Sequence, residues 1–399
     1  MARNVALIPW YGFLRNLLFW QATWFLFFQS ELSAAEAILL YVIFDITTTL
    51  FEVPSGWMSD RLGRRITLIA AAIAGAAGMV MLVFGAGFAA FAAAQMLLGM
   101  HSAFVSGTDN ALLYESLAAD GRAQEVEQQE LRHWRFTFVA LALSAVSGGF
   151  LAQWAPALPF VASGFAMFAL IGLSLAFTEP PRADVPSTSL LQLETLGPAF
   201  RQPVLLWLFA LSVLMYGFSH IPFVFGQPFI QAALQGAGYD AQAPVVSGAV
   251  SSIMMVLSVL MSLIAPGLRK RMGLGPMLLL AFGMQVGLIC LLALTNAPIA
   301  ILLLFLRMVP SSLSGPFIVA RIQPLLAGQT RATYLSLRSF FGRLWFAVSL
   351  FVAAGSASSV GLMAFDEISA ILTWYALAGA LAWLALLASL RRARIDEPD

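Results

Sequence analysis

The chain has 399 residues, of which 60% are hydrophobic and only 10% are charged, with a mean hydropathy of +0.86 and a formal net charge of +1. Because roughly a quarter of the residues of soluble globular proteins are charged, this composition excludes that class and predicts an integral membrane protein. A single cysteine, Cys290, excludes a disulfide within the chain. The N-terminus runs into a long apolar stretch without a small-residue cleavage site, so no removable signal peptide is expected.

Long apolar runs divide the chain into segments that can cross a membrane. A helix needs about 20 apolar residues to span the hydrocarbon core. On that rule twelve spans are predicted, at residues 11–30, 34–58, 66–88, 89–112, 133–154, 157–178, 203–225, 243–265, 275–294, 297–320, 332–354 and 367–390. Several links between them are only two or three residues long, which predicts that neighbouring helices are antiparallel.

The basic residues predict how these spans are oriented. None of the 21 Lys and Arg residues falls in an odd-to-even connection, and twenty lie in or beside the N-terminus, the even-to-odd connections and the C-terminus. The exception is Arg307, deep within the tenth span. The positive-inside rule therefore predicts a multi-pass protein of the cytoplasmic (inner) membrane with both termini in the cytoplasm.

The longest connection on the basic side predicts a division into two halves. Residues 1–178 form an N-terminal six-helix half, residues 179–202 a cytoplasmic linker with a short amphipathic segment, and residues 203–399 a C-terminal six-helix half. The loop at 266–273 is a weak copy of the charged loop that follows the second span. This repeat predicts pseudo-symmetric halves with a site near the midplane.

The charged loop is the stretch Gly56-Trp-Met-Ser-Asp60-Arg61-Leu-Gly63-Arg64-Arg65. It carries four formal charges between two apolar runs, so it must lie at a water-facing membrane surface. The stretch resembles the signature loop of the major facilitator superfamily (MFS), between that family's second and third helices. The resemblance implies an all-α fold of twelve transmembrane helices and secondary transport by alternating access, and it extends to bacterial proton-coupled drug and metabolite efflux members.

The resemblance also implies a conformational latch at this loop. In the family the loop pairs with an acidic residue at the end of the fourth helix and engages the start of the eleventh. Glu115 occupies the acidic position here, and Asp109 is a nearby substitute. The alternative is a plain charge cluster that fixes topology. The predicted latch residues are Gly56, Asp60, Arg61, Gly63, Arg64, Arg65, Asp109 and Glu115.

Ionisable residues inside the spans are the candidates for proton coupling, because intramembrane charge is costly. Asp45, Thr49, Glu52 and Gly56 follow one stripe of a helix that leads to the charged loop. We expect Asp45 to be a proton-coupling residue, with Glu52 closer to the latch; the alternative is a structural aspartate bonded to neighbouring helices. His101 can relay a proton or simply pack between helices.

Gln21, His101 and Arg307 lie on three of the four helices that line the cavity in the family, and His220 lies along span seven. These four residues are the substrate-cavity candidates. Arg307 can bind an anionic group or neutralise Asp45. The chain has 32 Phe and 10 Trp; most, including those of span one, are expected at lipid or the interface. A minority can form a pocket for amphiphilic cargo.

Two departures from the family pattern weaken the prediction of a typical proton–drug antiporter. Gln95 stands before Gly99 where the fourth helix of proton-driven members often carries arginine. The fifth-helix stretch Ser144–Gly149 retains a glycine pair and lacks the proline found in many antiporters.

The sequence shows no phosphate-binding loop, metal-ligand cluster or nucleophile–base constellation, so we expect no enzyme, no cofactor and no metal. The predicted function is proton-coupled export of a small amphiphilic organic compound, a drug or secreted metabolite. The alternatives are an importer or facilitator of a small, anionic solute, and a non-transporting membrane receptor or scaffold. The expected partners are a small-molecule substrate, protons and the lipid bilayer, without nucleic acid, and the protein is expected to be a monomer.

Overall fold

The computed structural model describes residues 1–181, 196–326, 328–357 and 362–395. These residues form helices and short connections, and no strand occurs among them. Eleven helices within the described ranges are long and apolar enough to cross a membrane. Together with an interrupted first segment, they confirm the predicted architecture of twelve helices in two halves.

The first half begins with a segment that is not one continuous helix. It consists of α1 (Ala2–Arg15), a 3-10 helix (Phe19–Ala22) and α2 (Trp24–Gln29). The expectation of a single span over 11–30 is therefore wrong in two respects: the helix starts at residue 2 and is broken after Arg15. No glycine or proline lies at the break, so the cause is tertiary packing.

The remaining segments of the first half are long helices, and the fourth is also broken. They are α3 (Ala34–Arg61), α4 (Arg64–Phe84), α5 (Gly87–Val105), α6 (Thr108–Ala119), α7 (Val126–Trp154) and α8 (Leu158–Leu175). The break between α5 and α6 lies at Gly107, whose φ of 76° is a left-handed conformation that glycine adopts without steric cost. The predicted span 89–112 thus crosses this break.

The second half begins after residue 195 with a short helix and then follows the same scheme. Its helices are α9 (Leu196–Arg201), α10 (Pro203–Gln235), α11 (Ala243–Met272), α12 (Leu274–Leu294), a 3-10 helix (Pro298–Leu306), α13 (Val309–Ile322), α14 (Gly328–Ala354) and α15 (Phe365–Ala393). The tenth membrane segment therefore changes from 3-10 to α geometry at Arg307, which caps the 3-10 helix.

Two compact units are distinguished by their internal packing. Unit 1 is Met1–Val185 with Ala241–Ser252 and Ser359–Leu362, and unit 2 is Pro186–Asp240, Ile253–Ser358 and Met363–Asp399. The start of α11 belongs to unit 1 because Gly248 and Gly149 allow backbones to meet: a Cβ on Gly248 would stand 2.5 Å from the carbonyl oxygen of Ala145. The predicted boundaries at residues 178 and 203 stay a prediction, since part of the linker lies outside the described residues.

Unit 1 is held together by small residues and buried aromatic rings. A Cβ on Gly99 would stand 2.9 Å from the carbonyl oxygen of Phe44, so glycine is what lets α3 and α5 approach this closely. Trp24, Phe25 and Phe28 are at most 2% exposed. The expectation that the aromatic residues of the first segment face lipid is therefore wrong for these three, which fill the interior of the unit.

Candidate functional site

The charged loop is organised around Arg64, the first residue of α4. Its guanidinium Nη1 lies 2.7 Å from Asp60 Oδ1 and 2.7 Å from Ser59 Oγ, and Nη2 lies 2.8 Å from Glu115 Oε1. One planar guanidinium therefore joins the end of α3, the start of α4 and α6, as its fixed fork of donors allows. The structure thus brings Glu115 to the loop, as the latch prediction requires of its acidic partner.

The other predicted loop residues occupy distinct positions. Gly63 has a φ of 114°, in a region that L side chains rarely adopt, and forms the turn between α3 and α4. The Arg61 guanidinium lies 5.7 Å from the centroid of the Trp57 ring. Arg65 donates from Nη2 to the carbonyl oxygen of Leu175 at 2.9 Å. For Gly56, no atom lies within 4 Å of where a Cβ would stand, so close packing does not require glycine there.

Glu179, which the sequence analysis placed only in the linker, belongs to this network. Its carboxylate accepts hydrogen bonds from the backbone N–H of Arg64 at 2.7 Å and of Arg65 at 2.8 Å. These N–H groups open a helix of 21 residues, where backbone donors have no intrahelical partner and an anion is favoured by the helix dipole. Glu179 therefore caps α4 from the far end of the first half.

Asn4, near the start of α1, binds the backbone of Thr178, the residue that precedes Glu179. Its side-chain amide donates to the carbonyl oxygen of Thr178 at 2.7 Å and accepts from the Thr178 N–H at 2.9 Å. It also donates to Ser116 Oγ at 2.9 Å, in a fully buried position. The start of α1, the end of α6 and the segment after α8 are thereby joined at the end of unit 1 that carries the charged loop.

Asp109, proposed from the sequence as a substitute latch partner, makes a different pair. Its Oδ2 lies 2.7 Å from Arg15 Nη1, and the Asp109 side chain is only 7% exposed. At 1.5 Å per residue, Arg15 lies roughly 20 Å along α1 from Ala2, and Asp109 roughly 15 Å along α6 from Ala119. The pair thus joins the breaks of the first and fourth segments near mid-membrane depth, away from Arg64, because α6 carries Asp109 and Glu115 almost two turns apart.

The break in the first segment is stabilised by polar side chains of neighbouring helices. Ser163 Oγ accepts from the backbone N–H of Phe19 at 3.1 Å and donates to the carbonyl oxygen of Leu17 at 3.3 Å. Asn16 donates to the carbonyl oxygen of Gly12 at 2.8 Å. Such partners are required because water is absent from the bilayer core. Gly148 of α7 permits the close approach, since a Cβ there would overlap the carbonyl oxygen of Phe19.

The predicted proton-coupling residues lie at different levels of exposure. Asp45 is 2% exposed, whereas Thr49 and Glu52 are half-buried and Gly56 is exposed. The helical stripe therefore runs from the interior of unit 1 to the charged loop, as its spacing predicts. His101 Nδ1 lies 2.8 Å from the carbonyl oxygen of Ala71, with its ring packed between α5 and α4. This geometry is that of the packing alternative for His101.

Unit 2 contains a cluster of cationic and aromatic side chains that the sequence analysis recognised only in part. The Arg307 guanidinium carbon lies 5.2 Å from the centroid of the Phe223 ring, and that of Arg343 lies 5.7 Å from the Tyr216 ring. The His220 ring contacts the Tyr216 ring at a tilt of 32°, with ring centroids 4.3 Å apart. We call Tyr216, His220, Phe223, Arg307 and Arg343 the cation–aromatic cluster.

Arg343 was counted among the residues beside loops, yet it lies eleven residues before the end of α14. Its position inside an apolar run was the signal that could have identified it. Gln21, the fourth cavity candidate, lies in the 3-10 helix of the interrupted first segment in unit 1 and is half-buried. Across the described residues, no group of three or more His, Cys, Asp or Glu is arranged to hold a metal ion.

Comparison with known proteins gives a consistent assignment of fold. The family model described as "Major Facilitator Superfamily" matches residues 10–350. No curated protein matches the sequence. Among solved structures, the nucleoside transporter NupG aligns with a TM-score of 0.78 at 16% identity, covering 96% of this chain and 99% of that one.

Two further transporters have the same fold at similarly low identity. An autoinhibited POT family peptide transporter aligns with a TM-score of 0.73 at 14% identity over 98% of this chain and 97% of that one. A D-xylose–proton symporter aligns with a TM-score of 0.67 at 15% identity over 94% and 97%. The three solved structures share the fold of this chain. Because the family match covers most of the sequence and eleven described helices are apolar enough to cross a membrane, the chain is a multi-pass membrane protein that belongs to the major facilitator superfamily, a family of transporters.

Proposed function

We propose that the protein is a secondary active transporter that exports a small amphiphilic organic compound in exchange for protons, by alternating access. The observation that carries the cargo class is the cation–aromatic cluster, in which guanidinium groups and aromatic faces occur together within membrane segments. Such a surface matches a molecule with both an apolar body and a polar group. The export direction is part of this proposal.

Proton coupling is assigned to Asp45, with Glu52 as a second carboxyl group nearer the charged loop. Asp45 is only 2% exposed; burial in general favours the neutral form of a carboxyl group, whereas water or a nearby cation favours the ionised form. The protonation of Asp45 can therefore follow the side to which the cavity is open. The contacts of Arg64 support a latch at the charged loop, and the distribution of basic residues supports a cytoplasmic membrane with both termini inside.

The test is transport by everted vesicles carrying Asp45→Asn. We expect loss of proton-driven accumulation while exchange of cargo between compartments persists, because the amide keeps the shape and cannot release a proton. Glu36→Gln is the matched control, since Glu36 lies on the same helix and caps its other end with Ser33. Unchanged proton-driven accumulation by Asp45→Asn would exclude its coupling role.

A second candidate is import or facilitated diffusion of a small anionic solute, favoured by the position of Arg307 at the change from 3-10 to α geometry. Flux in proteoliposomes with and without an imposed pH gradient separates the two modes. Absence of flux for every compound that raises the melting temperature would instead favour a receptor or scaffold. Strictly additive losses in Asp45→Asn, Arg307→Ala and their combination would exclude a functional pair between these residues.

A further inference from the structure

The cation–aromatic cluster brings two arginines to one level of unit 2. Arg307 follows a nine-residue 3-10 helix that begins at Pro298, which at about 2.0 Å per residue places it roughly 18 Å from that end. Arg343 precedes the end of α14 at Ala354 by eleven residues, roughly 16 Å at 1.5 Å per residue. Since the hydrocarbon core is about 30 Å thick, both guanidinium groups lie near its middle.

The exposure of the cluster indicates that it lines an accessible surface. All five of its side chains are half-buried. By contrast, Phe346 is fully buried; its ring centroid lies 5.2 Å from that of His220. An arginine at this depth faces water or protein and not lipid, because a charge in hydrocarbon is too costly. The partly exposed faces of the two arginines therefore indicate a water-accessible surface of the unit and not a lipid-facing one.

The charge of this half is one-sided. Between residues 201 and 365 the sequence contains a single acidic residue, Asp240, which starts a short 3-10 helix after α10. Arg307, Arg338 and Arg343 lie in the membrane segments of the same stretch. The membrane segments between residues 201 and 365 therefore carry an excess of positive charge, which is complemented by a ligand of negative charge.

The aromatic partners set the shape of that ligand. A guanidinium that stacks on a ring keeps its N–H donors in the guanidinium plane, where they bind a carboxylate in a bidentate fork. The rings of Tyr216 and Phe223 lie beside the two guanidinium groups and present further apolar surface. Two donors of charge-assisted hydrogen bonds flanked by aromatic faces suit a planar ring bearing an anionic group.

We propose that the cation–aromatic cluster is the cargo site and that it selects an aromatic organic anion, with Arg343 and Arg307 binding the anionic group. This inference rests on the proposed function and narrows its amphiphilic cargo to one charge class. It also assigns a binding role to Arg343, on the eleventh membrane segment.

The test compares three probes that share one ring system and differ in charge: naphthoate, the neutral naphthamide and the cationic naphthylmethylamine. Binding is measured on the purified full-length protein by titration of its melting temperature. We expect naphthoate to bind at least about tenfold more tightly than naphthamide, because a hydrogen bond to a charged group contributes more than a neutral one. We expect naphthylmethylamine to bind most weakly.

The variants Arg343→Gln and Arg307→Gln should each reduce naphthoate affinity about tenfold or more while leaving that of naphthamide unchanged. Arg343→Lys should restore part of the loss, since it keeps the charge without the planar fork. The matched control is Arg269→Gln, which removes another cation–aromatic pair of unit 2, the Arg269 guanidinium 5.5 Å from the Phe317 ring. Arg269→Gln should bind naphthoate as the unmodified protein does.

Equal binding of the acid and the amide, or unchanged naphthoate affinity in Arg343→Gln, would overturn the inference. The melting temperatures of Arg343→Gln and Arg307→Gln are also measured without probe, which identifies a misfolded variant. If Arg343→Gln misfolds, the naphthoate affinity of Arg343→Lys tests the inference instead. Naphthoate binding without flux would refute the proposed transport function but would still support anion binding by the cluster. Proton-driven flux of another compound, without arginine-dependent binding of naphthoate, would refute the anion site but would still support the transport function.

Discussion

Replacing Asp109 by asparagine should destabilise unit 1, because it leaves the Arg15 charge in the membrane interior without its carboxylate. The two side chains meet at 2.7 Å, and they are 7% and 31% exposed respectively. Asparagine is close in shape and can still accept the hydrogen bond that Asp109 Oδ1 receives from the Asn110 N–H at 2.9 Å. The substitution therefore isolates the loss of charge from the loss of the helix-terminal contact.

The expected loss in the free energy of unfolding depends on how deeply the ion pair is buried. Removing one partner of a buried ion pair costs about 3–5 kcal/mol of stability, and the partial exposure of Arg15 reduces this to about 2–3 kcal/mol. For a unit of this size each kcal/mol lowers the melting temperature by roughly 2–4 °C, so a loss of roughly 4–12 °C is expected. The double variant Arg15→Gln/Asp109→Asn removes both charges and should recover half of that loss or more.

Melting of the purified protein, followed by the intrinsic fluorescence of its tryptophans, measures both variants. Asp60→Asn is the control: it also removes an ion pair with an arginine, but Asp60 is 69% exposed, so its effect should stay below about 1 kcal/mol. The reasoning is refuted if Asp109→Asn melts within a degree of Asp60→Asn, or if the double variant Arg15→Gln/Asp109→Asn melts no higher than Asp109→Asn.

Three further substitutions probe the packing of unit 1. Gly148→Ala should cost about 1–3 kcal/mol, because the added methyl group meets the backbone at the break of the first segment. Glu179→Gln should cost about 1 kcal/mol by weakening the cap at the start of α4. Asn4→Leu should cost about 1–3 kcal/mol by removing the partners of both backbone groups of Thr178. The melting temperature of each purified variant measures these losses.

Each of these substitutions has an internal comparison. Gly172→Ala is the control for Gly148→Ala, since no atom lies within 4 Å of the added methyl position; equal melting of the two would contradict the packing account. Glu125→Gln is the control for Glu179→Gln: it weakens a half-buried ion pair with Arg122, three residues away in the chain, and should change stability by about 0.5 kcal/mol or less. For Asn4, a variant with aspartate that melted like the unmodified protein would show that donation from the amide to Thr178 contributes nothing.

The membrane segments and the charged loop could be predicted because their signals are local. Apolar length fixes the spans, and the charge of residues 60–65 excludes a membrane position for that loop. The pairing of the loop with Glu115 followed from the resemblance, which gave Glu115 as the acidic partner and kept Asp109 as a nearby substitute. Only the structure separates them, by placing Asp109 on Arg15.

The helix interruptions could be predicted in one case and not in another. Gly107 marks the break of the fourth segment in the sequence. Residues 15–23, by contrast, contain neither glycine nor proline, and the break there depends on Ser163 and Gly148 from distant positions. Arg343 was overlooked because a count of basic residues by connection assigns every arginine near a predicted loop to that loop.

The contacts of Asn4 and Glu179 bear on how the protein is synthesised. Asn4 leaves the ribosome near the start of translation, but its partner Thr178 and the α4 cap Glu179 follow almost at the end of the first half. Domains of multidomain chains generally fold in order from the N-terminus. The first half can therefore form these contacts once residue 179 has left the ribosome, while much of the second half is still untranslated. A nascent chain that ends at residue 176 would lack them.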